Sequence, residues 1–86
     1  MILFGISQDF FIYLSIILSM KKFSERLKAL RQEHNLSQRA LSRALSLSQP
    51  AIARWEAGTQ VPNIEILIKL ATFFDVSTDY MLGLED

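Results

Sequence analysis

The stretch LSQRALSRALSLSQPAIARWEAG, residues 36–58, decides the fold. Twice it sets a Leu-Ser pair ahead of a helical pattern, Leu36-Ser37 before Leu41 and Leu47-Ser48 before Ile52. A serine so placed accepts hydrogen bonds from the first free N–H groups of a helix. The apolar residue before it packs on the fourth helical residue. The spacing predicts helices over 37–45 and 49–57. Only Ser46, Leu47 and Ser48 separate them, and so short a turn makes two helices cross steeply. Leu41, Leu45, Ile52 and Trp55 close the inner angle, with Trp55 assigned to core packing by its spacing from Ile52. Gln49, Pro50, Ala53 and Arg54 remain on the outer face of the third helix.

Working outward, Phe23, Leu27 and Leu30 fall at i, i+4 and i+7, the stripe of a first helix over 22–34. Asn63, after Pro62, caps a helix over 64–74 with a stripe of Leu67, Leu70, Ala71 and Phe74. Val76-Ser77 repeats the Leu-Ser signature ahead of Met81 and opens a helix over 78–82. Period-two alternation is absent, so the chain is read as all-α with five short helices. Ile66, Ile68 and Phe73 lie off the main stripe of the fourth helix. They suit partial burial or a contact between two copies. At 86 residues the chain suits one domain with a modest core, and 50% hydrophobic against 21% charged residues argues against disorder. There is no cysteine, so neither a disulfide framework nor a thiolate metal site is available. His34 alone makes no metal centre and reads as a charge at a helix end.

Net charge is zero, yet the charges are segregated. Between Lys21 and Arg54 eight bases (Lys21, Lys22, Arg26, Lys28, Arg31, Arg39, Arg43, Arg54) face two acids (Glu25, Glu33), a balance of +6. From Trp55 onward one base faces six acids, a balance of −5. One half of such a molecule suits phosphate. An α-helix fits the major groove of B-form DNA, where each base pair shows its own donor and acceptor pattern. Gln and Arg can each make two parallel hydrogen bonds to a base edge there. The small Ala51 and Ala53 allow close approach.

The run Leu36-Ser37-Gln38, Ala40-Leu41, then Leu47 through Gly58 resembles the Cro and lambda-repressor type helix-turn-helix, or XRE family. The likeness continues through Pro62, Leu67, Leu70-Ala71, Val76-Ser77 and Tyr80-Met81-Leu82, covering about residues 22–84. It implies a five-helix lambda-repressor-like domain that binds double-stranded DNA as a homodimer on a palindromic operator. Residue by residue, it implies that Gln49 reads a base edge, most often adenine, and that Arg54 reaches guanine or the backbone. Pro50 and Ala53 complete the base-reading set, Pro50 by apolar contact. Gln38 touches a phosphate and supports Gln49. Arg39, Arg43 and Ser48 are backbone candidates, as are the N–H groups around Gly58, Thr59 and Gln60. Arg31 pairs with Glu56 as a structural link. The chain departs from the family at Ser46, where glycine is frequent because the residue is left-handed, at a cost of about 1 kcal/mol. It departs again at Ala57, which loses one side-chain phosphate contact, and Pro50 removes a donor where proline still fits.

Residues 1–20 form an apolar extension ahead of a domain over 21–86, with Asp9 their only charge. They suit an upstream start chosen wrongly, an extra apolar helix packing on the domain or a second subunit, or a membrane anchor. The length favours the anchor least, and no positive charge precedes the apolar run as a secretory signal requires. No glycine-rich phosphate loop, paired carboxylates or nucleophile with a histidine partner is present, so no enzyme and no cofactor is expected. The reading is a cytoplasmic transcriptional regulator, with repression favoured because steric exclusion needs DNA binding alone. Alternatives are an antitoxin-type regulator with a protein partner, a protein-interaction adaptor without DNA binding, and a membrane-tethered regulator. With no effector domain after Leu84, any signal is expected from concentration, a partner protein or the apolar head.

Overall fold

A computed structural model describes residues 7–86, and all regular structure among them is helical. The order is α1 (Gln8–Glu33), α2 (Gln38–Leu45), α3 (Gln49–Ala57), α4 (Ile64–Phe73) and α5 (Thr78–Met81). The last four lie within a residue of the bounds that cap and stripe positions predict. The first does not. The apolar segment is no separate helix but the N-terminal half of a single 26-residue α1. Between Asp9 and Glu33 there is neither glycine nor proline, so nothing ends the helix at Met20-Lys21-Lys22. Ser7 caps its start by accepting from the Phe10 N–H, with Asp9 in the first turn where the helix dipole favours an acid. The first six residues of the apolar segment lie outside the described residues.

Each helix opens the same way. Ser7, Ser37, Ser48, Asn63 and Ser77 all accept the N–H of the residue three further on. The closings also repeat. Asn35, Ser46, Gly58, Asp75 and Gly83 adopt positive φ of 56°, 54°, 79°, 56° and 75°. After each, the next N–H bonds five residues back, as in Leu36 N to Arg31 O (3.1 Å), Leu47 N to Ser42 O (2.8 Å) and Val76 N to Ala71 O (3.0 Å). These are Schellman closures, which satisfy the carbonyls that a helix end leaves free. Leu36, Leu47 and Val76 each close one helix and staple the next, so an apolar residue is fixed between two caps.

The core is small. Phe23, Leu27 and Leu30 of α1 meet Leu41 and Leu45 of α2, Ile52 and Trp55 of α3, Leu70 and Ala71 of α4, then Phe74 and Met81. The four inner-angle residues are all buried. Ser24 and Ser42 are buried too, and their hydroxyls donate to the carbonyls of Lys21 (2.8 Å) and Arg39 (2.7 Å). Off the α4 stripe, Ile66 packs partly on the core, whereas Ile68 and Phe73 stay exposed. His34 is exposed and sets its ring edge on Phe74 at 5.0 Å.

Ser46 carries a Cβ into the left-handed region (φ 54°, ψ 45°). Replacing it with glycine removes that strain and keeps the 6→1 bond. Ser46→Gly is expected to raise stability by roughly 0.5–1 kcal/mol, read as a higher urea midpoint at unchanged slope.

Candidate nucleic-acid interface

The outer face of α3 is held from within. Arg31 on α1 makes a two-pronged ion pair with Glu56 on α3, Nε to Oε2 at 2.6 Å and Nη2 to Oε1 at 2.8 Å. Its remaining nitrogen, Nη1, donates to the Leu36 carbonyl at 2.8 Å, tying α1 to the turn before α2. The side chains are 11% and 5% exposed, so the pair is largely out of water. Two parallel N–H···O bonds fix both groups more tightly than one contact would. The Glu56 hydrogen bond, opposed by partial burial, holds the Arg31 guanidinium above its ordinary pKa. A raised cationic pKa adds stability below the ordinary value and loses it only above the raised one. This contribution is therefore constant throughout the neutral range.

From Glu56 the order passes outward. Gln38, the first residue of α2, donates its Nε2 to Glu56 Oε1 at 3.1 Å. Its Oε1 then accepts from Gln49 Nε2 at 3.2 Å. The carboxylate can only accept, so it turns the Gln38 amide, and that amide turns the next. Gln49, exposed at the N-terminus of α3, is left with its carbonyl and one N–H without a partner among the described residues. Pro50 and Arg54 are exposed beside it and Ala53 is half-buried. Arg54 is braced by its Nε donating to Gln60 Oε1 at 2.9 Å.

Arg39 and Arg43 sit four residues apart on α2, both exposed. Ser48 keeps its cap role, accepting the Ala51 N–H at 3.3 Å. The loop after α3 offers fewer backbone donors than the resemblance implies. The Gly58 N–H donates to the Trp55 carbonyl and the Thr59 N–H to that of Arg54, both closing the helix. The Thr59 hydroxyl also donates to the Arg54 carbonyl at 3.2 Å. Gln60 is the residue of the three whose N–H has no partner among the described residues.

Two features escape sequence reasoning. Arg26, counted among the eight bases of the first half, lies over the Tyr80 ring at 4.2 Å and donates to the carbonyls of Tyr80 and Glu85. It pins the C-terminus and contributes nothing to an outer basic face. The Arg54–Gln60 brace was equally hidden, because a six-residue separation across a helix end carries no periodic signal.

A helix-turn-helix family model matches residues 27–81, well over half of the chain. The chain belongs to the helix-turn-helix family. It is 40% identical over 65 residues to the HTH-type transcriptional activator BcrR of Enterococcus faecalis, covering 76% of this chain and 32% of that protein. Against the HTH-type transcriptional regulator YobD of Bacillus subtilis (strain 168) it is 34% identical over 64 residues, 74% of this chain and 57% of the relative. Against Repressor protein C2 of Salmonella phage P22 it is 36% identical over 58 residues, covering 67% and 27%. The chain thus spans from about a quarter to a little over half of these relatives' own length. The family match begins inside α1, leaving the N-terminal turns of this helix-turn-helix protein outside it.

Removing Glu56 strands the Arg31 charge in a part-buried site. Glu56→Ala is expected to cost about 3 kcal/mol in urea unfolding. Gln38→Ala leaves the ion pair whole and should cost less than about 1 kcal/mol.

Proposed function

We propose that this chain is the DNA-binding module of a transcriptional regulator, with α3 lying in the major groove. The observation that carries the reading is the chain of polarity from Arg31 through Glu56 and Gln38 to Gln49. It presents an acceptor and a donor side by side at the N-terminus of α3. Adenine shows the complement in the major groove, a donor at N6 and an acceptor at N7. Gln49 is accordingly the adenine reader, Arg54 reads guanine or a phosphate further along the groove, and Pro50 and Ala53 supply apolar contact. Gln38, Arg39, Arg43, Ser48 and the Gly58–Gln60 loop border the sugar-phosphate chain. Of that loop Gln60 offers the free N–H, while Gly58 and Thr59 shape the approach. These contacts set register, and the base contacts set sequence.

The exposed bases Lys21, Lys22, Lys28, Arg39, Arg43 and Arg54 supply the attraction to phosphate that a net neutral chain otherwise lacks. The module acts as a homodimer on a two-fold operator in the cytoplasm, and represses by occupying a promoter. Names of relatives include both an activator and a repressor. Repression is favoured here because occupancy alone achieves it.

Fluorescence anisotropy against a selected palindromic DNA pool tests the reading. Gln49→Ala and Arg54→Ala should each weaken the enriched site by tenfold to about a hundredfold and relax its sequence. Arg43→Ala should weaken all sequences alike and lower the salt slope by about one. A folded sample that binds no duplex at low salt would sink the proposal.

A further inference from the structure

The N-terminal half of α1 stands clear of the domain. Eight large apolar side chains between Phe10 and Leu18 are 38–63% exposed, and the molecule measures 49 Å along its long axis against 24 and 21 Å across. A helix that is apolar all round is one that something else covers. No helix among the described residues is long and apolar enough to cross a membrane.

We infer that a second copy of this chain covers it, the two α1 shafts pairing antiparallel about a two-fold axis near Ser15. This deepens the dimer reading above and rests on it. Three observations select the occupant. First, the exposed apolar surface amounts to on the order of 800 Å² per copy, at about 200 Å² for each large side chain. One antiparallel partner covers one side of it, about half, so the shaft supplies roughly half of the ~800 Å² that a stable interface takes from each partner.

Second, the surface is self-complementary. Where the shaft leaves the body lies an open apolar groove of about 310 Å³, between Ile16, Ser19 and Phe23 on one wall and Val61, Leu67 and Leu82 on the other. Antiparallel pairing about Ser15 lays the tip of one shaft, with Phe10 and Phe11, along the base of the other, where this groove opens. The same contact is made twice, as a two-fold interface requires.

Third, charge chooses the direction. Asp9 is the one charge along the described shaft, and Lys21 and Lys22 mark its base. Antiparallel pairing sets each Asp9 beside the lysines of the other copy, twelve or thirteen residues along, about 18–20 Å. Parallel pairing would oppose Asp9 to Asp9. The result also suits two DNA half-sites. α1 crosses the end of α3 where Ser24 lies beside Gly58. Two such crossings, nine residues either side of Ser15, are roughly 30 Å apart, near the ~34 Å between half-sites one turn apart.

The test is sedimentation equilibrium of the full chain without DNA, with helicity followed by circular dichroism. The wild type should have twice the 9.9 kDa chain mass. Ile16→Glu, at an exposed site beside the axis, should keep its helicity and weaken the dimer at least tenfold. Asp9→Lys should weaken it about two- to fivefold, and adding Lys21→Glu with Lys22→Glu should restore it. A dimer indifferent to Ile16→Glu would overturn the shaft interface and leave the dimer reading standing. A monomer that selects no two-fold operator would overturn both. A monomer that floats with phosphatidylcholine–phosphatidylglycerol vesicles would assign the shaft to a lipid surface and overturn the proposal.

Discussion

The Arg31–Glu56 ion pair is the contact on which the candidate site depends. It is the one salt bridge among the described residues, and it joins the longest helix to the helix proposed to read DNA. Its worth lies less in net stability than in direction. A largely buried ion pair roughly offsets its own desolvation, so its presence is weak evidence of stabilisation. A guanidinium fork and a carboxylate do, however, leave each other one arrangement. Because Glu56 can only accept, Gln38 must donate to it, and Gln49 must in turn donate to Gln38. An exposed glutamine on water alone would sample both amide faces. Here the hydrogen-bond polarity of the surface is set by a charge in the interior.

The second constraint is the turn. Asn35-Leu36-Ser37, Ser46-Leu47-Ser48 and Asp75-Val76-Ser77 are one device used three times: a left-handed residue, an apolar residue and a cap. The left-handed residue spends its own N–H and the next on closing the old helix, and the serine opens the new one. No residue is spare between one closure and the next cap, so each turn is as short as the two caps allow. In the same way the closure after α3 takes up the Gly58 and Thr59 N–H groups. Backbone donors that cap a helix are not free for phosphate, and this loop is left with Gln60 and its side chains.

This explains how much was legible in the sequence. Caps, stripes and staples are local and periodic, so α2 to α5 and the inner angle of Leu41, Leu45, Ile52 and Trp55 could be read directly. The left-handed state of Ser46 came from the resemblance, through the glycine frequent at that position. The Arg31–Glu56 pairing and the support of Gln49 by Gln38 came from resemblance, since partners 25 and 11 residues apart leave no local mark. The contacts of Arg26 leave no local mark for the same reason, as its partner Tyr80 lies 54 residues away. The continuity of α1 was missed on different grounds. Met20-Lys21-Lys22 marks a change from apolar to basic composition, but no residue there opposes a helix, so α1 runs through it.

That unbroken α1 has a mechanical consequence. Its C-terminal half carries Phe23, Leu27 and Leu30 into the core and Arg31 onto Glu56, while its N-terminal half projects into solvent. A loop between the two would let the shaft move without disturbing α3. A continuous helix transmits its orientation, because bending it would break backbone hydrogen bonds inside a core too small to compensate. Whatever the shaft packs against therefore fixes the placement of α3 as a rigid unit, through the same helix whose Arg31 orients Gln49. Placement of α3 and the donor pattern it displays are thus governed by one element of secondary structure, at points sixteen residues apart in the case of Ser15 and Arg31.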